Sequence, residues 1–95
     1  MPKLSAEQIQ QRLKETPGWS LDASSIRKQF TFDGFLQAIA FVNRLVPDAE
    51  AADHHPDIVI NYKRVTLIYS THSDGGLTDK DFDGAKIADR KAKGE

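Results

Sequence analysis

At Asp33 the hydrophobic period of this 95-residue chain changes. Before it, in WSLDASSIRKQFTF, Ile26, Phe30 and Phe32 fall on one face while Arg27, Gln29 and Thr31 fall on the other. That period of two belongs to a half-buried strand, and Asp22 to Ser25 supply the turn of a hairpin. After Asp33 the apolar residues recur at helical spacing: Phe35, Ile39, Val42 and Val46 form one stripe. Leu36, Ala40, Phe41 and Leu45 widen it beyond what one sheet-facing stripe requires. Such a surface is either deeply packed or a subunit contact. Pro47 falls within the run toward Glu50 and is expected to kink the helix or start a fresh turn.

Two further strands follow, DIVINY and RVTLIYST, with a tight turn near Lys63. Ile58, Ile60 and Tyr62 alternate with Val59 and Asn61, which places Tyr62 on the core face; Val65, Leu67 and Tyr69 alternate with Thr66 and Ile68. Helices flank this middle. LSAEQI opens the first: Ser5 caps, Gln8 reaches back, Leu4 staples onto Ile9, and Pro17-Gly18 stops the helix after about Lys14. LTDKDF opens the last in the same way, with Thr78 as cap, Asp81 at the third helical position, and Leu77 stapling to Phe82. SDGG before it reads as a flexible loop. The order α-β-β-α-β-β-α predicts a single α+β domain over 1–95, a four-stranded antiparallel sheet with helices on one face. The uncovered face or a sheet edge must then meet solvent, a ligand or another subunit.

Composition narrows the function. There is no cysteine, so disulfides, thiolate zinc sites and thiol nucleophiles are excluded. A formal charge of −1 lacks the basic footprint of a nucleic-acid binder, and KIADRKAK suits the negative end of a helix. No run approaches a membrane span or a signal-peptide core, which makes the cytoplasm the default compartment.

All three histidines lie within DHHPDIVINYKRVTLIYSTH. His54 and His55 stand where the central helix enters the third strand; Pro56 biases His55 toward an extended backbone. His72 lies just past the fourth strand. Pairing the strands about Lys63 sets Pro56 roughly opposite Thr71, so the three imidazoles converge at one end of the sheet. Converging imidazoles support acid–base chemistry near neutrality, a three-histidine zinc shell, or no task at all. Adjacent histidines diverge and neither HxH nor HxxxH occurs, so the spacing favours acid–base chemistry over a metal. Asp81 is accounted for by its capping box, Glu50 stands one helical turn before His54, and Trp19 beside a turn reads as packing.

EAADHHPDIVINYKRVTLIYSTHSDGGLTDKDFDGA resembles the signature of the pterin-4a-carbinolamine dehydratases. Glu50, His54, His55, Pro56, Tyr62, His72 and Asp81 satisfy its spacings, STH and GLT also match, and the similarity covers nearly the whole chain. Enzymes of that family dehydrate the 4a-hydroxytetrahydropterin left by aromatic amino-acid hydroxylases to quinonoid dihydropterin and water, as part of tetrahydrobiopterin recycling, without a cofactor or metal. The resemblance implies His54 as principal acid or base, His55 as its counterpart or orienting partner, and His72 as a ligand-binding residue open to proton transfer. It implies Pro56, Thr71, Ser73 and Asp74 as substrate contacts, with Glu50 and Asp81 in support. The implied partners are the pterin and further copies of the chain, as a dimer or tetramer, with no nucleic acid or membrane. The alternative it raises is a binding module, a dimerisation partner of a transcription factor acting through the central helix.

Overall fold

Ser5 and Thr78 each open a helix through the reciprocal hydrogen bonds their spacing predicts. In the computed structural model, which describes residues 2–94, the first is α1, Ala6–Glu15. The Ser5 amide donates to Gln8 Oε1 at 2.8 Å and the Gln8 amide to Ser5 Oγ at 3.2 Å. A hairpin follows, β1 (Ser20–Asp22) and β2 (Ser25–Thr31), turning through Ala23 at φ 54°. Then come α2 (Phe35–Ala52), β3 (Asp57–Asn61), β4 (Arg64–Tyr69), a short 3-10 turn η1 (His72–Asp74) and α3 (Asp79–Ala92). The four strands form one antiparallel sheet in the order β1-β2-β4-β3.

The alternation read from the sequence decides which face is covered. Ile26 and Phe30 of β2 and Val65, Leu67 and Tyr69 of β4 are buried under Ala38, Phe41 and Leu45 of α2 and Phe82, Ala85 and Ala88 of α3. Their neighbours Arg27, Gln29, Thr31 and Arg64 are exposed on the opposite face. Leu4, Trp19 and Leu77 close the core at its margins. Trp19 packs as expected, edge-on to Phe30 with centroids 6.0 Å apart, and its indole N–H donates to the Asp89 carboxylate. Lys28 shares the helix-facing side of β2, where a bare charge would be costly; Asp89 pairs with it at 2.8 Å and it lies over the Phe30 ring. The cations Arg90 and Lys91 sit in the last turn of α3, where the helix dipole favours them.

Four expectations are corrected. No fresh turn starts at Pro47, because α2 runs from Phe35 to Ala52 without interruption. Pro47 and Asn43, whose carbonyl loses its usual donor, are both exposed, so water can serve the freed acceptor. Tyr62 does not continue the core face: it occupies the β3–β4 turn at φ 55° and is 67% exposed. Strands joined by two residues need a left-handed turn position, and here it falls on Tyr62. With Asn61 opposite Arg64, the pairing shifts two residues from the expected one. Asp57 faces Ile68, so extending the register sets Pro56 beside Tyr69 and His54, rather than Pro56, beside Thr71. Lastly, part of the expected loop is regular, since His72–Asp74 form a 3-10 turn closed by Gly75 at φ 79°.

The wide stripe on α2 is only half used by its own chain. Ala38, Phe41 and Leu45 are buried, while Phe35 and Leu36 are 54% and 75% exposed and Val46 also faces outward.

Helix α3 comes close to the sheet at Gly84, where an added Cβ would lie 2.6 Å and 2.9 Å from ring carbons of buried Tyr69. Gly84→Ala gains about 1 kcal/mol of helix propensity but overpacks by roughly 1–3 kcal/mol. Clash wins in a rigid core, so urea unfolding should show a net loss of stability on the order of 1 kcal/mol; a stabilised variant would contradict this packing.

Candidate active site

The last turn of α2 aims two imidazoles in different directions. The Asp53 amide donates to the Glu50 carbonyl at 3.2 Å and the His54 amide to the Ala49 carbonyl at 3.1 Å. With Asp53 left-handed at φ 49°, this is a Schellman ending, in which aspartate replaces the usual glycine. The chain reverses there, and Pro56 biases His55 toward an extended backbone. His54 is carried back over the end of β4, and His55 is left on the outside.

His54 enters a buried polar network. Its Nε2 lies 2.6 Å from Asp81 Oδ1, with the imidazole 11% exposed and the carboxylate fully buried. Asp81 Oδ2 accepts from the Thr71 hydroxyl at 2.8 Å and from the Thr78 amide at 3.0 Å. The two threonine hydroxyls are 2.9 Å apart. A carboxylate burdened with desolvation thus meets three donors and the positive end of α3. Beneath the imidazole lies the Tyr69 ring, stacked at 5.9 Å and 26°. Asp81 therefore caps α3 with one oxygen and contacts the His54 imidazole with the other.

His55 is exposed and its Nε2 contacts Glu50 Oε2, also exposed. Glu50 thus holds His55, not His54: the Schellman reversal takes His54 away from the helix and lays His55 back along its last turn. Carboxylates accept and do not donate, so in both pairs the proton sits on Nε2, leaving Nδ1 as the acceptor of each neutral ring. His72 begins the 3-10 turn directly after Thr71 and is exposed, as is Ser73; Asp74 is half-buried. Thr71, expected to touch substrate, is buried with its hydroxyl turned inward onto Asp81 and Thr78.

His54 and His55 line separate hollows. A cleft of ≈ 80 Å³ between α2 and α3 is lined by His54 and Tyr69 with Asp48, Lys80 and Asp83. A groove of ≈ 210 Å³ between α2 and β3 is lined by His55, Pro56 and Glu50 with Val42, Val46 and Ile58. His72 lines neither. Enclosed small-molecule pockets run to roughly 300 Å³ and more, so a bicyclic ligand would lie across this surface rather than inside it. Among the described residues, no group of three or more His, Asp or Glu side chains is placed to hold a metal ion. Two participants were not singled out from the sequence as site residues: Tyr69, which supports the His54 ring, and Thr78, whose hydroxyl does more than cap. Tyr69 read as one more core aromatic, and Thr78 was explained by its capping box.

The pterin 4 alpha carbinolamine dehydratase family model matches residues 2–91. The chain belongs to that family. A protein of Picosynechococcus sp., provisionally named a pterin-4-alpha-carbinolamine dehydratase, is 50% identical over 88 residues, covering 93% of this chain and 96% of the other. One from Sulfolobus acidocaldarius with the same provisional name is 45% identical over 84 residues, covering 88% and 92%. The crystal structure of a transcriptional coactivator/pterin dehydratase from Brucella melitensis superposes with a TM-score of 0.90 at 30% identity, covering 95% of this chain and 98% of that one. The carbinolamine dehydratase family match thus spans residues 2–91, and a pterin is the substrate class the family implies. No helix of the described residues is long and apolar enough to cross a membrane.

Burial pushes the Tyr69 phenol well above its ordinary value, and the charges of Asp81 and Asp48 push it the same way. The folded state holds this proton more tightly than the unfolded chain, so the associated stability is intact below about pH 10 and lost as pH rises beyond it. Chemical denaturation between pH 9 and 12 should show stability falling by at most ~1.4 kcal/mol per pH unit from this group. Tyr69→Phe should flatten that alkaline limb; an unchanged slope would place the phenol in water.

Proposed function

We propose that this chain dehydrates 4a-hydroxytetrahydropterin to quinonoid dihydropterin and water by imidazole acid–base catalysis, serving tetrahydrobiopterin recycling. The observation that carries the reading is the pair of adjacent imidazoles, each tied through Nε2 to its own carboxylate, Asp81 and Glu50. Dehydration requires the C–OH bond of the carbinolamine to break and the neighbouring ring N–H to give up its proton as the C=N bond forms. An imidazolium gives its proton to the departing hydroxyl, which leaves as water, and a neutral imidazole takes the ring proton. The two imidazoles end the cycle with their states exchanged, and solvent restores them. His54 and His55 are the pair assigned to these transfers; each positioned group typically contributes about 10²–10⁴-fold.

The exposed His72 and Ser73, with Pro56 and Asp74, are assigned to the pterin itself, the flat ring lying across the end of β3 and β4. Thr71 contributes through its backbone and through Asp81. Glu50 and Asp81 hold the acid–base pair in one orientation. The donors needed for this chemistry are all side chains of the chain, so no cofactor enters any step.

Self-association is the second part of the reading, and Phe35, Leu36 and Val46 favour it. These exposed apolar side chains lie along one helix, the kind of surface that a small domain covers with another copy of itself. A transcription factor using the same helix is the competing occupant.

Two experiments test these assignments. Chelator-treated protein should speed the decay of the hydroxylated pterin released by a phenylalanine hydroxylase. The His54→Ala, His55→Ala double variant should lose at least ~100-fold of that acceleration; a folded double variant with full activity rejects the assignment. In sedimentation, the wild-type chain should run as an oligomer and Leu36→Asp should shift it toward monomer, whereas a monomeric wild type would reject self-association.

A further inference from the structure

The threonine pair behind Asp81 has more hydrogen bonds than a helix cap needs. Thr78 Oγ1 accepts the Lys80 amide at 3.3 Å, and the Thr78 amide donates to Asp81 Oδ2, which completes the cap. Thr71 is the N-cap residue of η1, but it caps with its backbone carbonyl alone and its side chain makes no cap hydrogen bond there. It follows β4 seven residues before Thr78, is buried, and among the described residues its hydroxyl bonds to Asp81 Oδ2 and Thr78 Oγ1.

The donors in this chain can be assigned in one way only. Asp81 Oδ2 is an acceptor, so the hydrogen of Thr71 Oγ1 points to it. Thr71 Oγ1 then has only lone pairs left for Thr78, and the Thr78 hydroxyl must donate to Thr71. Reversing either hydroxyl would set a lone pair against a lone pair in a place sealed from water: Thr71, Thr78 and Asp81 are at most 5% exposed. Two donors therefore pin Oδ2, the carboxylate cannot rotate, and Oδ1 is presented to His54 Nε2. The Tyr69 ring fixes the plane in which the imidazole receives it.

We infer that Thr71 and Thr78 are positioning residues: their one-way hydroxyl chain locks Asp81 and so keeps neutral His54 in its Nε2–H tautomer, presenting Nδ1 as the proton-accepting nitrogen. The kinetic side of this inference rests on the proposed dehydratase activity, while the tautomer does not. Thr71 is the residue that separates positioning from capping, because removing its hydroxyl leaves the Thr78 cap intact.

Long-range ¹H–¹⁵N correlation of the imidazoles reads the tautomer directly in labelled protein at a pH where the rings are neutral. Wild-type His54 should show the Nε2–H pattern, and an Nδ1–H pattern overturns the inference without any variant. Thr71→Val keeps shape and drops the hydroxyl; it should mix the His54 tautomers and lower kcat by about tenfold or more with KM within about twofold. Thr71→Ser should restore both readings. A folded Thr71→Val variant with the wild-type tautomer overturns the inference, as does a Thr71→Ser variant no better than Thr71→Val. If Thr71→Val does not fold, Thr71→Ala takes its place with the same expectations. A tautomer shift in a chain inactive on the carbinolamine supports the positioning chain and rejects the dehydratase reading, so the two failures are distinguishable.

Discussion

One buried carboxylate joins three parts of this molecule. Asp81 starts α3, receives the hydroxyl of the segment leaving β4, and holds the imidazole that comes after α2. Withdrawing a charge from water costs roughly several kcal/mol in proteins even after relaxation, unless its surroundings replace what water supplied. Here the replacement comes from an amide, a hydroxyl, an imidazole and the end of a helix dipole. None of these can be withdrawn alone without exposing the cost, which ties helix, strand exit and site together.

The features legible in the sequence were those that nearest neighbours determine. Both capping boxes, the alternation of β2 and the helix from Phe35 through Val46 rest on residues a few positions apart, and each stands in the structure; β3 does not alternate, since Ile58 and Val59 are both exposed. The order of elements came with them, and so did the α+β sheet. That all three histidines flank one hairpin was legible too, but the structure divides them, with His54 lining one hollow, His55 another and His72 neither.

The features that escaped depend on backbone geometry no spacing records. Left-handed conformations at Ala23, Asp53 and Tyr62 are unannounced by glycine, and two of them reset the site. Tyr62 moves the β3–β4 pairing by two residues, which sets Asp57 opposite Ile68. Asp53 reverses the chain after α2, which gives Asp81 to His54 and Glu50 to His55. Pro47 starts no fresh turn, because exposed Asn43 one turn back can turn to water for the donor that proline lacks, and the helix continues. The groove beside His55 shares Val46 and Ile58 with the outward apolar surface of α2 and β3, so whatever covers that surface also builds a wall next to the outer imidazole.

The capping role of Asp81 has a dynamic consequence. Helix ends fray before helix middles do, and local openings of this kind cost less than global unfolding. Each time the first turn of α3 opens, the Thr78 amide leaves Oδ2 and the support of His54 is loosened in the same event. The lifetime of the assembled site is thus the lifetime of one helical turn, and amide exchange at Thr78 and Asp81 is its clock.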